Sequence, residues 1–120
     1  MRDRVPETSI MLRVALRAEA LLGPGKAALL EGIRDTGSIA AAGRRMGMSY
    51  KRAWYLIDTL NGAFREPMVT TSKGGKAGGG AKLTPTGEAV LDGYRRMEAA
   101  AADAVTDDLA RLSALLRPTG

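Results

Sequence analysis

The chain has 120 residues, 45% hydrophobic and 26% charged, a composition typical of a single globular domain over residues 1–120. It has no cysteine and no histidine, which excludes disulfide frameworks and thiolate metal sites and removes the commonest general base near neutral pH. The net charge is +5, and residues 44–82 hold eight basic side chains against two acidic ones. This concentration favours a polyanionic partner over a merely solvated basic face.

The first predicted elements are a strand and a helix. Residues 9–18 alternate with a period of two, which predicts a half-buried strand. Pro24 suits the first turn of a helix, and Gly37 is a natural C-terminal stop. A first helix is therefore expected between Pro24 and Gly37.

Two further helices are predicted, each preceded by a serine. Ser38 and Ser49 can act as N-caps, because a serine hydroxyl oxygen accepts from a free amide of the first turn. Only a Gly-Met pair separates the second helix from the third, a turn length that helix-turn-helix motifs use. Residues 24–62 are therefore predicted to form a three-helix helix-turn-helix core, with residues 49–61 as its third helix.

A segment rich in glycine and lysine, "TSKGGKAGGGAKLT" (71–84), follows this core. It lies between two short strand-like stretches, so residues 67–84 are predicted to form a hairpin with the glycines at its tip. The segment does not match a nucleotide-binding P-loop, because the Gly-Lys pair at 75–76 is followed by alanine rather than Ser or Thr. A plain linker is an alternative, although linkers usually join domains. We expect a wing whose glycines let the backbone approach a phosphate closely.

Residues 85–117 are predicted to form a long C-terminal helix. Pro85 lies in its first turn, and a break is expected near Thr106, where the sequence can cap a helix. Apolar residues at steps of three or four form a stripe along it. The stripe includes Val90, Tyr94, Met97, Val105, Leu109, Leu112 and Leu116. Strand, three helices, hairpin and long helix together predict a mainly α winged helix-turn-helix with a small β component.

The third helix is predicted to contact DNA. With about 100° per residue, its apolar side faces the core while Lys51 and Tyr55 lie opposite. A recognition helix presents its first residues to base edges, and Lys51 and Arg52 suit guanine or phosphate. The predicted DNA-binding residues are Ser38, Ser49, Tyr50, Lys51, Arg52 and Tyr55, together with Lys73, Lys76 and Lys82 of the wing.

Several neighbouring residues have two interpretations. Trp54 lies at the edge of the buried side, and packing is favoured over DNA contact. Tyr50 and Tyr55 fit either DNA contact or surface packing. Arg44 and Arg45 fit either phosphate binding or a solvated face.

The segments "TGSIAAAGRRMGMSYKRAWYLIDTLN" (36–61) and "GGKAGGGAKLTPTGEAVLDGY" (74–94) closely resemble the N-terminal DNA-binding domain of the ModE family of molybdate-responsive transcription regulators. The helix-turn-helix alone is also similar, more loosely, to LysR-type regulators. The ModE resemblance implies a dimer joined through the N-terminal element and the 85–117 helix, with the stripe as its dimerisation residues. It also implies two reading helices on a pseudo-palindromic site, and control of molybdate uptake or molybdoenzyme genes.

Members of that family carry molybdate-binding domains after the long helix, whereas this chain ends at Gly120. Molybdate is therefore assigned to no residue, and a standalone member is expected. The leading hypothesis is a dimeric cytoplasmic regulator of double-stranded DNA, with no membrane partner, metal or cofactor. The alternatives are a protein-interaction module docking through the long helix, and a small oxyanion sensor using the glycine loop. An enzyme is not expected, because His, Cys and a convincing Ser–Lys pair are all missing.

Overall fold

The computed structural model describes residues 8–72 and 80–118. The elements follow in the order β1 (Val14–Arg17), β2 (Ala20–Leu22), α1 (Pro24–Thr36), α2 (Ile39–Arg45), α3 (Tyr50–Ala63), β3 (Val69–Ser72), β4 (Gly80–Leu83), α4 (Pro85–Ala104) and α5 (Thr106–Ser113). The strands form two antiparallel pairs, β1 with β2 and β3 with β4. The prediction of a mainly α chain with a few strands is confirmed.

The N-terminal strand differs from the prediction for residues 9–18. β1 is shorter, and it pairs with β2, which the alternation did not indicate. A register shift between Ala15 and Arg17 interrupts the alternation, so the Leu16 side chain is 58% exposed instead of facing the core with Val14. The predicted single strand was therefore wrong in length, because a bulge and a turn intervene.

The predicted helix boundaries around α1 and α2 are confirmed. Pro24 occupies the first turn of α1, and the Gly37 amide donates to the Ile33 carbonyl at 2.8 Å to close its last turn. Gly37 and Gly47 have φ angles of 72° and 71°, in the left-handed region where a Cβ is unfavourable. Gly37 thus ends α1 as its position in the sequence indicated, and Gly47 follows the Met46 cap of α2.

One cluster of buried side chains joins helices α1 to α4 to both sheets. Tyr94 of α4 belongs to this core, with 1% of its surface exposed, and its hydroxyl donates to the Leu12 carbonyl at 2.7 Å. Burial raises the pKa of the Tyr94 phenol, and the nearby Glu98 raises it further, so the hydroxyl stays protonated as a donor. The other large side chains that are fully buried are Leu29, Leu30, Ile33, Ile57, Leu60, Met68 and Leu91.

Helix α4 starts directly against the two residues that precede β3. The Thr84 hydroxyl accepts from the Gly87 amide at 2.9 Å and donates to the Pro67 carbonyl at 2.6 Å. The Thr84 amide also donates to the Met68 carbonyl at 2.9 Å. A Cβ on Gly87 would collide with that same carbonyl oxygen, so only glycine allows this close approach.

The C-terminal helix is interrupted at Val105, next to the break expected at Thr106. The predicted helix over 85–117 was too long, because α5 ends at Ser113, and none of the residues of α5 is fully buried. The radius of gyration is 16.8 Å, whereas a compact chain of this length has about 14 Å, so the molecule is elongated. Neither α4 nor any other helix within the described ranges is long and apolar enough to cross a membrane.

Candidate nucleic-acid interface

Helix α3 has one buried face and one exposed face. Ala53, Ile57 and Leu60 have 0% of their surface exposed and anchor the helix in the core. Tyr50 and Tyr55 are 57% and 61% exposed on the other side. This division follows the helical period, and it fixes the orientation of the first turn of α3 toward the surface.

The first turn of α3 is held by a cap and by aromatic side chains. The Ser49 hydroxyl oxygen accepts from the Arg52 amide at 3.0 Å, so the predicted N-cap is confirmed. The Arg52 guanidinium lies over the Tyr55 ring, 5.7 Å from its centroid. Tyr50 meets Trp54 edge to face, with centroids 6.4 Å apart. Trp54 itself is partly buried against the core, as the packing interpretation predicted.

The two cations in the first turn of α3 lack the acidic partners that several other cations of the molecule have. Lys51 and Arg52 are exposed, and neither forms an ion pair with an acid in the described part of the chain. Arg44 is likewise unpaired there, whereas Arg45 lies 3.5 Å from an Asp35 carboxylate oxygen. Within the same ranges no three carboxylates are grouped to hold a metal ion. The surface around the first turn of α3 is therefore suited to an anionic partner.

The ion pairs that join α1 to α4 are Arg34–Glu88 and Arg95–Glu31.

The β3–β4 pair lies beside the start of α2. The Ala81 amide donates to the Gly37 carbonyl at 2.9 Å, which attaches β4 to the residue preceding Ser38. The Ser38 hydroxyl accepts from the Ala41 amide at 3.0 Å, so this cap is also confirmed. A cleft of about 430 Å³ lies here, and its polar lining is Thr70, Thr71, Ser72 and Lys82. Lys82 and Ser38 thus belong to neighbouring segments.

The remaining wing residues of the predicted set are Lys73 and Lys76. Both lie outside the described residues, between Ser72 and Gly80. Their contacts with DNA stay a prediction. Among the described residues, the structure groups Ser49, Tyr50, Lys51, Arg52 and Tyr55 on one helix, and Ser38 and Lys82 at the hairpin.

Asn61 is a positioning residue that the sequence did not reveal. Its Oδ1 accepts from the Met68 amide at 2.8 Å and from the Val69 amide at 3.2 Å. Its Nδ2 donates to the Val69 carbonyl at 3.3 Å. The last turn of α3 therefore holds the start of β3. Asn-Gly is a common turn dipeptide, so Asn61-Gly62 carried no sign of this role.

The predicted dimerisation stripe is divided between the core and the surface. Tyr94 is covered by its own chain and has no surface to offer a second copy, so the stripe does not extend to it. Val90 packs against the core and is partly buried. Val105 and Leu109 are also partly buried, while Met97, Leu112 and Leu116 are 42%, 62% and 68% exposed.

The chain is similar to bacterial proteins named as molybdenum-pterin-binding proteins and as ModE transcriptional regulators. No protein-family model matches it. It is 48% identical over 86 residues to the molybdenum-pterin-binding protein MopB of Rhodobacter capsulatus, covering 72% of this chain and 32% of that protein. It is 36% identical over 113 residues to the transcriptional regulator ModE of Yersinia pestis, covering 92% and 43%. It is 32% identical over 105 residues to the DNA-binding transcriptional dual regulator ModE of Escherichia coli strain K12, covering 85% and 40%.

The matches to ModE fall in the N-terminal region of those regulators. The chain therefore spans less than half the length of the curated relatives it matches.

Proposed function

The chain is a homologue of the ModE transcriptional regulators and matches their N-terminal region, and on this premise we propose that it is a regulator that binds double-stranded DNA sequence-specifically through a winged helix-turn-helix. The observation that carries the proposal is the exposed first turn of α3. Lys51 and Arg52 lie there without an acidic partner in the described ranges, on a helix fixed by Ser49 and by its buried face. Recognition helices present this turn to base edges in the major groove.

The β3–β4 hairpin supplies the second part of the proposed interface. Lys82 is exposed on β4, directly opposite Thr70 of β3. Asn61 of α3 attaches the start of this hairpin to the reading helix, and the Thr84 hydroxyl joins the hairpin's two ends by donating to the Pro67 carbonyl, which limits its movement relative to α3. In this proposal the hairpin is the wing. Its lysines bind backbone phosphates, and its contacts add affinity without choosing the sequence.

A dimer completes the proposal, with one reading helix for each half-site. The support lies in α5 and the turn that follows it, where no residue is fully buried and Leu112, Leu115 and Leu116 are 62%, 80% and 68% exposed. Next to it, Ile10 and Met11 line a groove of about 1020 Å³ that Leu109 also lines. Apolar surface of this kind usually marks an interface. We assign it to a second copy of the chain.

The relatives' names supply the proposed physiological context. They describe proteins that bind molybdenum-pterin or regulate transcription as ModE. We propose that the target genes serve molybdenum handling. No residue of this chain is assigned to molybdate.

Selection of bound genomic fragments followed by fluorescence titration tests the DNA-binding proposal. We expect the selected duplex to bind at least about 10³-fold more tightly than random duplex at physiological salt. Contacts with base edges add to the affinity for backbone phosphates, which is the same for every sequence. Equal affinity for both duplexes would contradict sequence-specific regulation. Failure to bind any duplex at low salt would instead favour a protein-interaction module. The selected sequences also show whether molybdenum genes are nearby.

Replacing Leu112 and Leu116 together with glutamate is expected to convert a dimer into a monomer in sedimentation velocity at tens of micromolar. Two charges buried in an apolar interface are strongly unfavourable. Arg111→Glu is the matched control, because it changes the net charge by the same amount at the exposed position directly before Leu112. Its Arg111–Asp108 pair is at the surface and contributes little to stability. A double variant that stays dimeric, or a wild type that is monomeric, would contradict the assigned interface.

A further inference from the structure

Three cations from different elements line one cleft beside the reading helix. Arg13 precedes β1, Lys26 lies in the first turn of α1, and Arg52 lies in the first turn of α3. The cleft has a volume of about 310 Å³, and none of its lining residues is acidic. The Arg13 side chain lies against the residue that precedes α1, since its Cγ is 3.6 Å from the position that a Cβ on Gly23 would take. The start of one strand and the starts of two helices thus place basic side chains around one cleft.

The three charges repel one another. The Lys26 ammonium donates to the Leu21 carbonyl at 2.9 Å, which holds it at the cleft. Burial lowers the pKa of Lys26, and the charges of Arg13 and then Arg52 lower it further. None of the three pairs with an acid within residues 8–72 and 80–118. An arrangement of like charges without counter-charge is unfavourable for folding, and an anion between them would reverse the sign of that interaction.

We propose that this cleft, formed by Arg13, Lys26 and Arg52, is a binding site for a tetrahedral oxyanion of the phosphate type. Arg52 belongs to the first turn of α3, so the ligand on DNA would be a backbone phosphate beside the reading helix. A DNA phosphate as the ligand rests on the proposed function, whereas binding of a free oxyanion does not. Gly23 provides no side-chain cap, and the first turn of α1 has no acid, so amide donors there would assist the cations. The site would extend the DNA contact from α3 to α1.

Arg13→Gln and Lys26→Gln test the cleft, with Arg96→Gln on the exposed surface of α4 as the charge-matched control. Two measurements are made on each protein. The first is the salt dependence of affinity for duplex DNA. The second is titration with inorganic phosphate at constant ionic strength, followed by the amide resonances of Gly25, Lys26 and Arg52. Thermal unfolding in phosphate-free buffer verifies folding, and Arg13→Gln should not lower the midpoint because it removes a repelling charge.

The two sources of oxyanion give different results. If the ligand is a DNA phosphate, both variants reduce the slope of log affinity against log salt by about 0.9 for each lost contact, equally for selected and random duplex. If the ligand is free, phosphate gives saturable shifts in the wild type and Arg96→Gln that are lost in both cleft variants, while the DNA slope is unchanged. The proposal is wrong if the cleft variants match the control in both measurements. A wild type that binds no duplex contradicts the proposed function, and the phosphate titration then judges the cleft alone.

Discussion

Replacing Lys51 with alanine is expected to weaken binding to the selected duplex by about 1–3 kcal/mol for each half-site, a loss of roughly 5- to 150-fold. The Lys51 side chain is exposed in the capped first turn of α3, and it has no acidic partner among the described residues. Its ammonium is therefore available to a guanine edge. A contact of this type discriminates between bases, so affinity for random duplex should change much less.

Lys82→Ala is the contrasting variant for this experiment. Lys82 is an exposed cation on β4, where the proposal assigns it to a phosphate. Its loss should weaken selected and random duplex alike and reduce the salt slope by about 0.9 for each contact. Titrations of both variants against both duplexes at several salt concentrations separate the two roles. If Lys51→Ala leaves affinity for the selected duplex unchanged, α3 is not the reading helix.

The distribution of ion pairs also separates the proposed DNA-binding surface from the rest of the molecule. Between α1 and α4, arginines meet carboxylates, as in the 2.7 Å contact between Arg95 and Glu31. Burial alone would lower the pKa of Arg95, but its hydrogen bonds to Glu98 and Glu31 outweigh burial and raise it. Around the first turn of α3, Lys51 and Arg52 lack such partners within the described ranges. The cations of the proposed interface are therefore free to pair with phosphates, whereas those between α1 and α4 already stabilise the fold.

The sequence predicted those features that depend on a few neighbouring residues. A serine before a helix has its capping amide three residues away, so Ser38 and Ser49 could be recognised directly. Gly37 was similarly recognisable as a helix stop. The apolar face of α3 followed from its period. These local signals were enough to predict the order of helices and the surface that α3 exposes.

Features that join distant segments could not be predicted in the same way. β2 is only three residues long and follows a register shift, so it left no readable period. Arg13, Lys26 and Arg52 are separated along the chain, and only the packing of β1, α1 and α3 places them around one cleft. Tyr94 matched the stripe by spacing, yet its surroundings place it in the core. Spacing gives the face of a helix, but it does not say which partner covers that face.

Asn61→Ala is expected to reduce the free energy of unfolding by about 3 kcal/mol, at roughly 1 kcal/mol for each of the three hydrogen bonds that its amide makes. The loss is concentrated where α3 meets β3, because Met68 is 0% exposed and its amide would lose a partner that water cannot easily replace. The hairpin should then be held less firmly relative to the reading helix. Chemical denaturation measures the stability, and hydrogen exchange at the Met68 and Val69 amides locates the change.

Asn61→Asp is the matched comparison, since it retains an oxygen at the Oδ1 position but places a second carboxylate oxygen, instead of the Nδ2 donor, against the Val69 carbonyl. It should lose less stability than Asn61→Ala, because its carboxylate still accepts from the Met68 and Val69 amides, and repulsion between its second oxygen and the Val69 carbonyl offsets only part of those bonds. If Asn61→Ala unfolds within about 0.5 kcal/mol of the wild type, the contact does not hold the hairpin. If the alanine variant is destabilised but binds duplex with unchanged affinity and salt slope, the hairpin is not part of the DNA interface, because loosening its root must weaken any phosphate contact it makes.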